Sequence, residues 1–326
     1  MGPAADGGSL SNASAEVHFE KRDLTSGAVA SDLPLPVTAS GSNVPLTLAG
    51  SSSTEGLLQL SNNRVYAVIA GYNSAPGVAS INSSSGVQRV VGRIDLAGAS
   101  VSTGTIISDA FVGSSVRSAA SVDGTAYWVG GASSSGLDAG IRYVVHGSSG
   151  ASSDLFSSIQ NMRATEIING QLYAATASGP VPDGGVTLSR VFSVGTAVPT
   201  SVTTMVAYLP GVNISSPGNF VLLDQTAVAG FDTLYVTDTN TSAVGARKYT
   251  FDGTVWTLAA TFPLASGSGF FVAARANSPT SVTVLLTCGQ GVLRWDDTGI
   301  TGTAPAGTLV IAPPTGTAFR GITFLP

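Results

Sequence analysis

The sequence predicts an all-β chain folded as a six-bladed β-propeller, with seven blades as the alternative count, closed by pairing N-terminal strands with the C-terminal strand. Three observations lead there. Almost no stretch carries the 3.6-residue apolar spacing of a surface helix, and DLFSSIQNMR, residues 154–163, is the single short candidate. Elsewhere, apolar runs of five to eight residues lie between Gly, Asn, Asp and Ser, which is strand and turn chemistry. One segment type also recurs: NNRVYAVIAG, DGTAYWVGG, NGQLYAATAS, FDTLYVTDT and TSVTVLLTCG each place a turn before an apolar strand. Their centres, Tyr66, Tyr127, Tyr173, Tyr235 and Val284, are spaced by 61, 46, 62 and 49 residues. A long period with several strands per unit is the signature of propeller blades, and loop insertions explain its variation.

The units follow in order within a single domain spanning residues 1–326. Residues 1–14 read as an irregular or extended lead-in. AEVHFEKRD and GAVASDLPLP resemble third and fourth strands. The first complete unit runs from about 55 to 113. The second parses as VRSAASVDG, TAYWVGG, GIRYVVHG and SSDLFSS, the last overlapping the helix candidate. The third offers MRATEIING, QLYAATAS, LSRVFSVG and TTMVAYLPG, and the fourth NFVLLDQ, DTLYVTDT, ARKYTFDG and TVWTLAATFPL. The fifth extends from about 266 to 313. The remaining FRGITFLP matches the opening strands of the second and third units, with Phe319-Arg320-Gly321 beside Val116-Arg117-Ser118 and Met162-Arg163-Ala164. A sixth blade built from both chain ends would remove exposed sheet edges.

Composition bounds the function. Only 10% of the 326 residues are charged, against roughly a quarter in an ordinary soluble domain, while 43% are hydrophobic and mean hydropathy is +0.33. The polar coat is therefore Ser, Thr, Asn and Gly, which leads to the expectation of a secreted or cell-surface protein. Four sequons, at Asn12, Asn82, Asn213 and Asn240, are its candidate glycosylation sites. A net charge of −5 and a pI near 4.9 oppose a nucleic-acid footprint. The single cysteine, Cys288, allows no intrachain disulfide and reads as a buried small hydrophobe. No apolar run reaches transmembrane length, and MGPAADGGSL lacks the layout of an export signal, so such a signal has been removed or another route is used.

The ordered motifs VRSAASVDGTAYWVGG, GIRYVVHG, RATEIINGQLYAATASG, DTLYVTDT and AFRGITFLP resemble a poorly characterised family of secreted propeller proteins frequent in bacteria. The resemblance spans about Ser9 to Pro326 and implies a propeller and export, without a particular reaction. In that family a strand usually precedes the segment matching GGSLSNASAEV, where this chain has MGPAAD. The closing blade is thus expected to hold three strands or to borrow one from a neighbouring subunit, which makes self-association a candidate property.

Arginine placement is the sharpest chemical pattern. Arg117 and Arg163 each lie ten residues before the tyrosine of the next strand, Arg320 shares their motif position, and Arg275 lies nine before Val284. Four guanidiniums at one channel mouth, with Glu55, would bind an anionic small molecule or glycan. The competing reading is bracing of neighbouring blades by carbonyls or by Glu55, Glu166 and Asp224. Asp123-Gly124, Asp183-Gly184, Asp252-Gly253 and Asp296-Asp297 read first as turns. Asp238, Asp296 and Asp297 are the only weak Ca²⁺ candidates, no DxDxDG loop is present, and no cofactor is expected. His18 and His146 read as strand-end residues, and no nucleophile, zinc or phosphate-loop motif occurs, so no catalytic residue is assigned. Three functions follow in order: a structural or adhesive self-assembling module, an anion or glycan binder, and a propeller lyase or glycosidase.

Overall fold

The computed structural model describes residues 10–136, 138–178, 189–226 and 230–326, and these are all-β. The first strands are β1 (Ser14–Ala15), β2 (His18–Arg22), β3 (Val29–Pro34) and β4 (Leu48–Ala49), with β2 and β3 forming a hairpin and β1 pairing with β4. Sheet one contains β5 (Gln59–Leu60), β6 (Tyr66–Tyr72), β7 (Arg89–Asp95) and β8 (Val101–Ile107). Sheet two contains β9 (Val116–Ala120), β10 (Ala126–Gly131), β11 (Gly140–Val145) and, after the short β12 (Ser149–Gly150) that returns to β8, β13 (Ser153–Phe156). Sheet three is β14 (Met162–Ile168), β15 (Gln171–Thr176), β16 (Val191–Val194) and β17 (Val206–Tyr208). Sheet four is β18 (Pro217–Leu223), β19 (Thr233–Asp238), β20 (Val244–Phe251) and β21 (Trp256–Pro263). Sheet five is β22 (Gly269–Ser278), β23 (Ser281–Cys288) and β24 (Gly291–Asp297), then, past β25 (Gly302–Thr303) lying parallel to β21, β26 (Thr308–Ile311).

Each sheet is an up-and-down antiparallel meander, and consecutive sheets pack through their opening strands, β9 on β14, β14 on β18 and β18 on β22. This is a propeller-type array of small sheets. Its cores lie between sheets, as shown by Tyr72, Phe111 and Val129 between sheets one and two, or Trp128, Phe156 and Phe192 between two and three. Second strands are sandwiched on both faces, which is why β10 and β19 are buried at every residue. The single cysteine, Cys288, is buried in the core between sheets four and five.

Two expectations change. The helix candidate 154–163 is instead the strand β13 followed by the start of β14, because Leu155 and Phe156 are needed in the core against Phe192. FRGITFLP forms no strand, and the sheet that would join it to β2 and β3 is not formed. One backbone bond fixes this segment, from Gly321 N–H to the Gly56 carbonyl at 2.9 Å. A Cβ on Gly321 would stand 2.2 Å from the Leu58 nitrogen, so the glycine is required by close backbone approach. Among the described residues no strand is paired with 319–325 to carry a ladder, which accounts for their irregular form.

Candidate functional site

Four opening strands carry a register shift near the same end. Arg117 is the extra residue opposite Gly130 and Gly131, and Arg163 is the extra residue opposite Ala175 and Thr176. In β18 the shift takes in Gly218 and Asn219, and in β22 it takes in Phe270. A bulge turns a side chain out of the alternating pattern and toward whatever lies beside the sheet. Repeated on successive sheets, it brings Arg117 and Arg163 together at one end of the array. Arg320 joins them, its guanidinium 5.0 Å from the centre of the Phe270 ring and bonded to the Gly50 carbonyl at 2.7 Å.

One carboxylate faces these cations. Glu55 is fully buried and accepts hydrogen bonds from the Ser115 hydroxyl at 2.6 Å, the Tyr72 hydroxyl at 3.0 Å and the Ala49 N–H at 3.3 Å. Burial pushes its carboxyl up from the ordinary range against those bonds and the Arg117 charge. Arg117 is 8% exposed and donates to Asn161 Oδ1 at 2.8 Å and the Met162 carbonyl at 3.2 Å, so it clamps sheet two to sheet three. Arg163 differs. Its guanidinium has no hydrogen bond or ion pair among the described residues, and its Nε–H is buried without a partner, as are those of Arg117 and Arg320. Desolvation, with the Arg117 charge adding to it, holds Arg163 down at about 9, and desolvation holds Arg320 at about 10.

Arg275 is not part of this group. It lies five residues past Phe270, about 16 Å along the strand at ~3.3 Å per residue, where it is exposed and stacks 4.6 Å from the Phe324 ring. The strand β22 has ten residues where β9 has five, so a count of nine back from Val284 ends within the strand and falls short of the bulge. Glu166 and Asp224 take no part in an ion pair among the described residues. Burial pushes Glu166 up to about 8, against the opposing pull of the Phe220 N–H.

The acidic turns divide by role. Asp123 and Asp252 each accept N–H groups two residues ahead, and Gly124 and Gly253 take φ of +82° and +99°, so both pairs are turns. Asp183-Gly184 lies outside the described residues. Asp296-Asp297 is the end of β24, where buried Asp297 accepts from Lys248 at 2.8 Å, Tyr235 at 2.5 Å and two backbone N–H groups. Asp238 pairs with Arg247 at 3.0 Å, and Asp296 with Arg294 at 2.9 Å. These bonds engage the weak Ca²⁺ candidates, and no metal-holding group of three occurs among the described residues. His18 opens β2 and pairs with Asp32, while His146 follows β11 and meets the Tyr127 hydroxyl at 2.8 Å. Asn12, Asn213 and Asn240 are exposed, and Asn82 is half-buried in the 3₁₀ turn Ile81–Ser83.

Two residues escaped sequence reasoning. Arg89 is 1% exposed, bonds the Phe111 and Ser114 carbonyls and stacks on Tyr72. Asn219 exchanges two 2.8 Å bonds with the backbone of Val272 and so joins sheets four and five. Their partners stand 22 to 53 residues away with no motif in common.

Two cavities flank the array. One, of ≈200 Å³, runs along the opening strands and is lined by Glu166, Asn219, Val272, Arg64, Arg275 and Phe324 among others. The other, of ≈340 Å³, is a cleft with β2 on one side and residues 319–325 on the other. Neighbouring sheets share apolar cores, and β2 shares one with sheet one through Val17, Phe19 and Ile69. Between β2 and sheet five the cleft takes that place.

Comparison with known proteins finds no matching family model and no matching curated protein. Among solved structures, a putative 6-phosphogluconolactonase from Bacteroides fragilis is similar at 12% identity and a TM-score of 0.48, over 94% of this chain and 96% of that one. Hydrazine synthase from Kuenenia stuttgartiensis is similar at 14% identity and a TM-score of 0.42, over 87% of this chain and 70% of that one. No helix among the described residues is long and apolar enough to cross a membrane, which leaves strand-spanning proteins aside.

Proposed function

We propose that the chain is a propeller of six positions, the sixth incomplete, that binds a small oxyanion where Arg117, Arg163 and Arg320 meet. The observation carrying this is Arg163, a guanidinium inside an otherwise bonded cluster that has no partner among the described residues. Three cations against one carboxylate leave this end positive in a chain of net charge −5. A carboxylate, phosphate or sulfate group matches the planar donors of a guanidinium. Binding without turnover is favoured because both oxygens of Glu55 are already engaged by fixed donors.

Titration calorimetry with citrate, phosphate and sulfate tests the reading. Saturable binding lost in Arg163→Met, with folding kept, supports it; unchanged binding in that variant removes the site. The sparse charge and the exposed Asn12, Asn213 and Asn240 support an extracellular location, which glycan mapping on native material checks. A separate observation, the cleft beside β2, supports a second reading, an interaction module that takes up a partner's strand.

A further inference from the structure

The cleft has the position of a missing strand. Residues 319–321 lie beside Gly56 and Leu58, with Arg320 level with the bulges, so this segment stands where the opening strand of a sixth sheet would stand. The hairpin of β2 and β3 supplies the last two strands, and β3 is exposed as an outer strand should be. The second place, between residues 319–325 and β2, is the cleft.

The lining suits that strand. In sheets one, four and five the second strand is the most buried, as β6, β19 and β23 show, and β10 of sheet two is buried throughout. The cleft presents matching apolar walls, including Val17, Ile69 and Ile94 on one side and Leu285, Val292 and Ile311 on the other. Backbone groups are available along both edges. Leu35 N–H bonds Val17 C=O on the β3 side, so the ladder alternation directs the N–H and C=O of His18 and Glu20 into the cleft. From 322 to 325 no backbone group has a backbone partner among the described residues. An unpaired edge beside an apolar slot is the arrangement used in strand addition.

We propose that the cleft receives an extended strand from another polypeptide, which completes the sixth sheet as its second strand. A second copy of the chain is the poorer donor. Its described strands are already paired, and residues 1–9 and 179–188 read MGPAADGGS and GPVPDGGVTL, rich in Gly and Pro without strand alternation. Charge selects the entering strand further. Among the cleft residues Arg22 is paired with Glu20, Lys21 is bonded to the Leu96 carbonyl and buried Arg320 to the Gly50 carbonyl, while Arg275 is exposed with no ion pair among the described residues. The incoming strand therefore carries an apolar centre and an acidic residue at the end that meets Arg275.

The test uses a fluorescent synthetic peptide, DTLYVTDT, which copies the second strand of sheet four and is acidic at both ends. Anisotropy with the full chain is expected to show saturable one-to-one binding. The proline-substituted peptide DTLPVPDT should not bind, because it lacks the ladder donors. Exposed Arg275→Glu should weaken DTLYVTDT at least tenfold and favour KTLYVTKT, without disturbing the core. Hydrogen exchange should slow at His18, Glu20 and residues 322–325 when peptide is bound. Equal binding of the proline peptide, or protection confined to other edges, overturns the proposal. Sedimentation showing a dimer that closes the same amides without peptide overturns the choice of partner. Arg163→Met should leave peptide binding unchanged, so this result stands or falls apart from oxyanion binding.

Discussion

Replacing Arg163 with methionine should raise stability while removing oxyanion binding. The guanidinium is held at about 9 instead of 12.5, chiefly by desolvation, and finds no compensating partner among the described residues. At 1.36 kcal/mol per pKa unit, that difference sets an upper limit of about 5 kcal/mol on the cost of keeping the charge in the folded chain. Local relaxation and access for water reduce the recoverable part to roughly 1 to 3 kcal/mol, since methionine keeps the apolar stem in place. At ~2 °C per kcal/mol for a chain of this size, the melting temperature should rise by about 2 to 6 °C. The sign with pH is fixed: the folded pKa lies below the unfolded one, so the penalty is complete below about 9 and fades as pH rises above it. Thermal unfolding followed by circular dichroism at pH 7 and pH 10 should therefore show a gap between variant and parent that narrows at the higher value. Citrate should raise the melting temperature of the parent alone. A variant less stable than the parent by more than about 1 kcal/mol would mean that Arg163 braces the sheets, and the oxyanion site would lose its main support.

Three other perturbations probe the rest of the frame. Asn219→Ala removes both bonds to the Val272 backbone and leaves a buried N–H and C=O unpaired, which should cost about 2 to 4 kcal/mol in chemical denaturation. Asp297→Ala strands Lys248 and the Tyr235 hydroxyl, with an expected loss of about 3 to 5 kcal/mol. Burial opposes ionisation of Asp297, but its bonds to Lys248, Tyr235 and Ile300 N–H win and its pKa is lowered, so its contribution is present above the unfolded value and lost as acid titrates the folded carboxylate. Glu166 has the opposite sign: burial raises it to about 8 from 4.5, so stability declines as pH rises across that window. Glu166→Gln should flatten this decline between pH 5 and 9, and an unchanged slope would assign the decline to another group.

Much of the strand order was legible because turn residues and apolar runs are local signals. Val116-Arg117-Ser118 and Met162-Arg163-Ala164 carry their bulges within the motif, so the match between Arg117 and Arg163 survives folding. Arg275 misled because the second-strand residue used as a ruler does not stand at a fixed distance from the bulge: β22 extends for ten residues before its turn. DLFSSIQNMR reads as a helix only if Phe156 is separated from Phe192, a contact across 36 positions that no local period reveals. FRGITFLP was legible as an opening strand by composition but lacks the neighbour that would make it one. Arg89 and Asn219 were hidden for a related reason: a side chain that bonds a distant backbone carbonyl needs nothing particular in the partner sequence.

The six positions proposed above also order the charges. Arg320, Glu55, Arg117 and Arg163 would fall in the sixth, first, second and third positions, and Gly218 and Phe270 in the fourth and fifth. On that reading the cations sit on neighbouring positions, and Arg320 reaches across to the Phe270 ring. Glu55 partly neutralises the flank shared by Arg117 and Arg320, so the strongest uncompensated field is at Arg163, next to the side that carries Gly218. A ligand with charge at both ends would bring the second charge to the Phe270 ring, whose face the Arg320 guanidinium already covers while bonded to the Gly50 carbonyl. The arrangement therefore favours an oxyanion with an apolar body, its head on Arg163 and its body toward Phe270. In a calorimetric series at equal charge, benzoate should bind more tightly than acetate, and Phe270→Ala should remove that preference while leaving acetate binding in place.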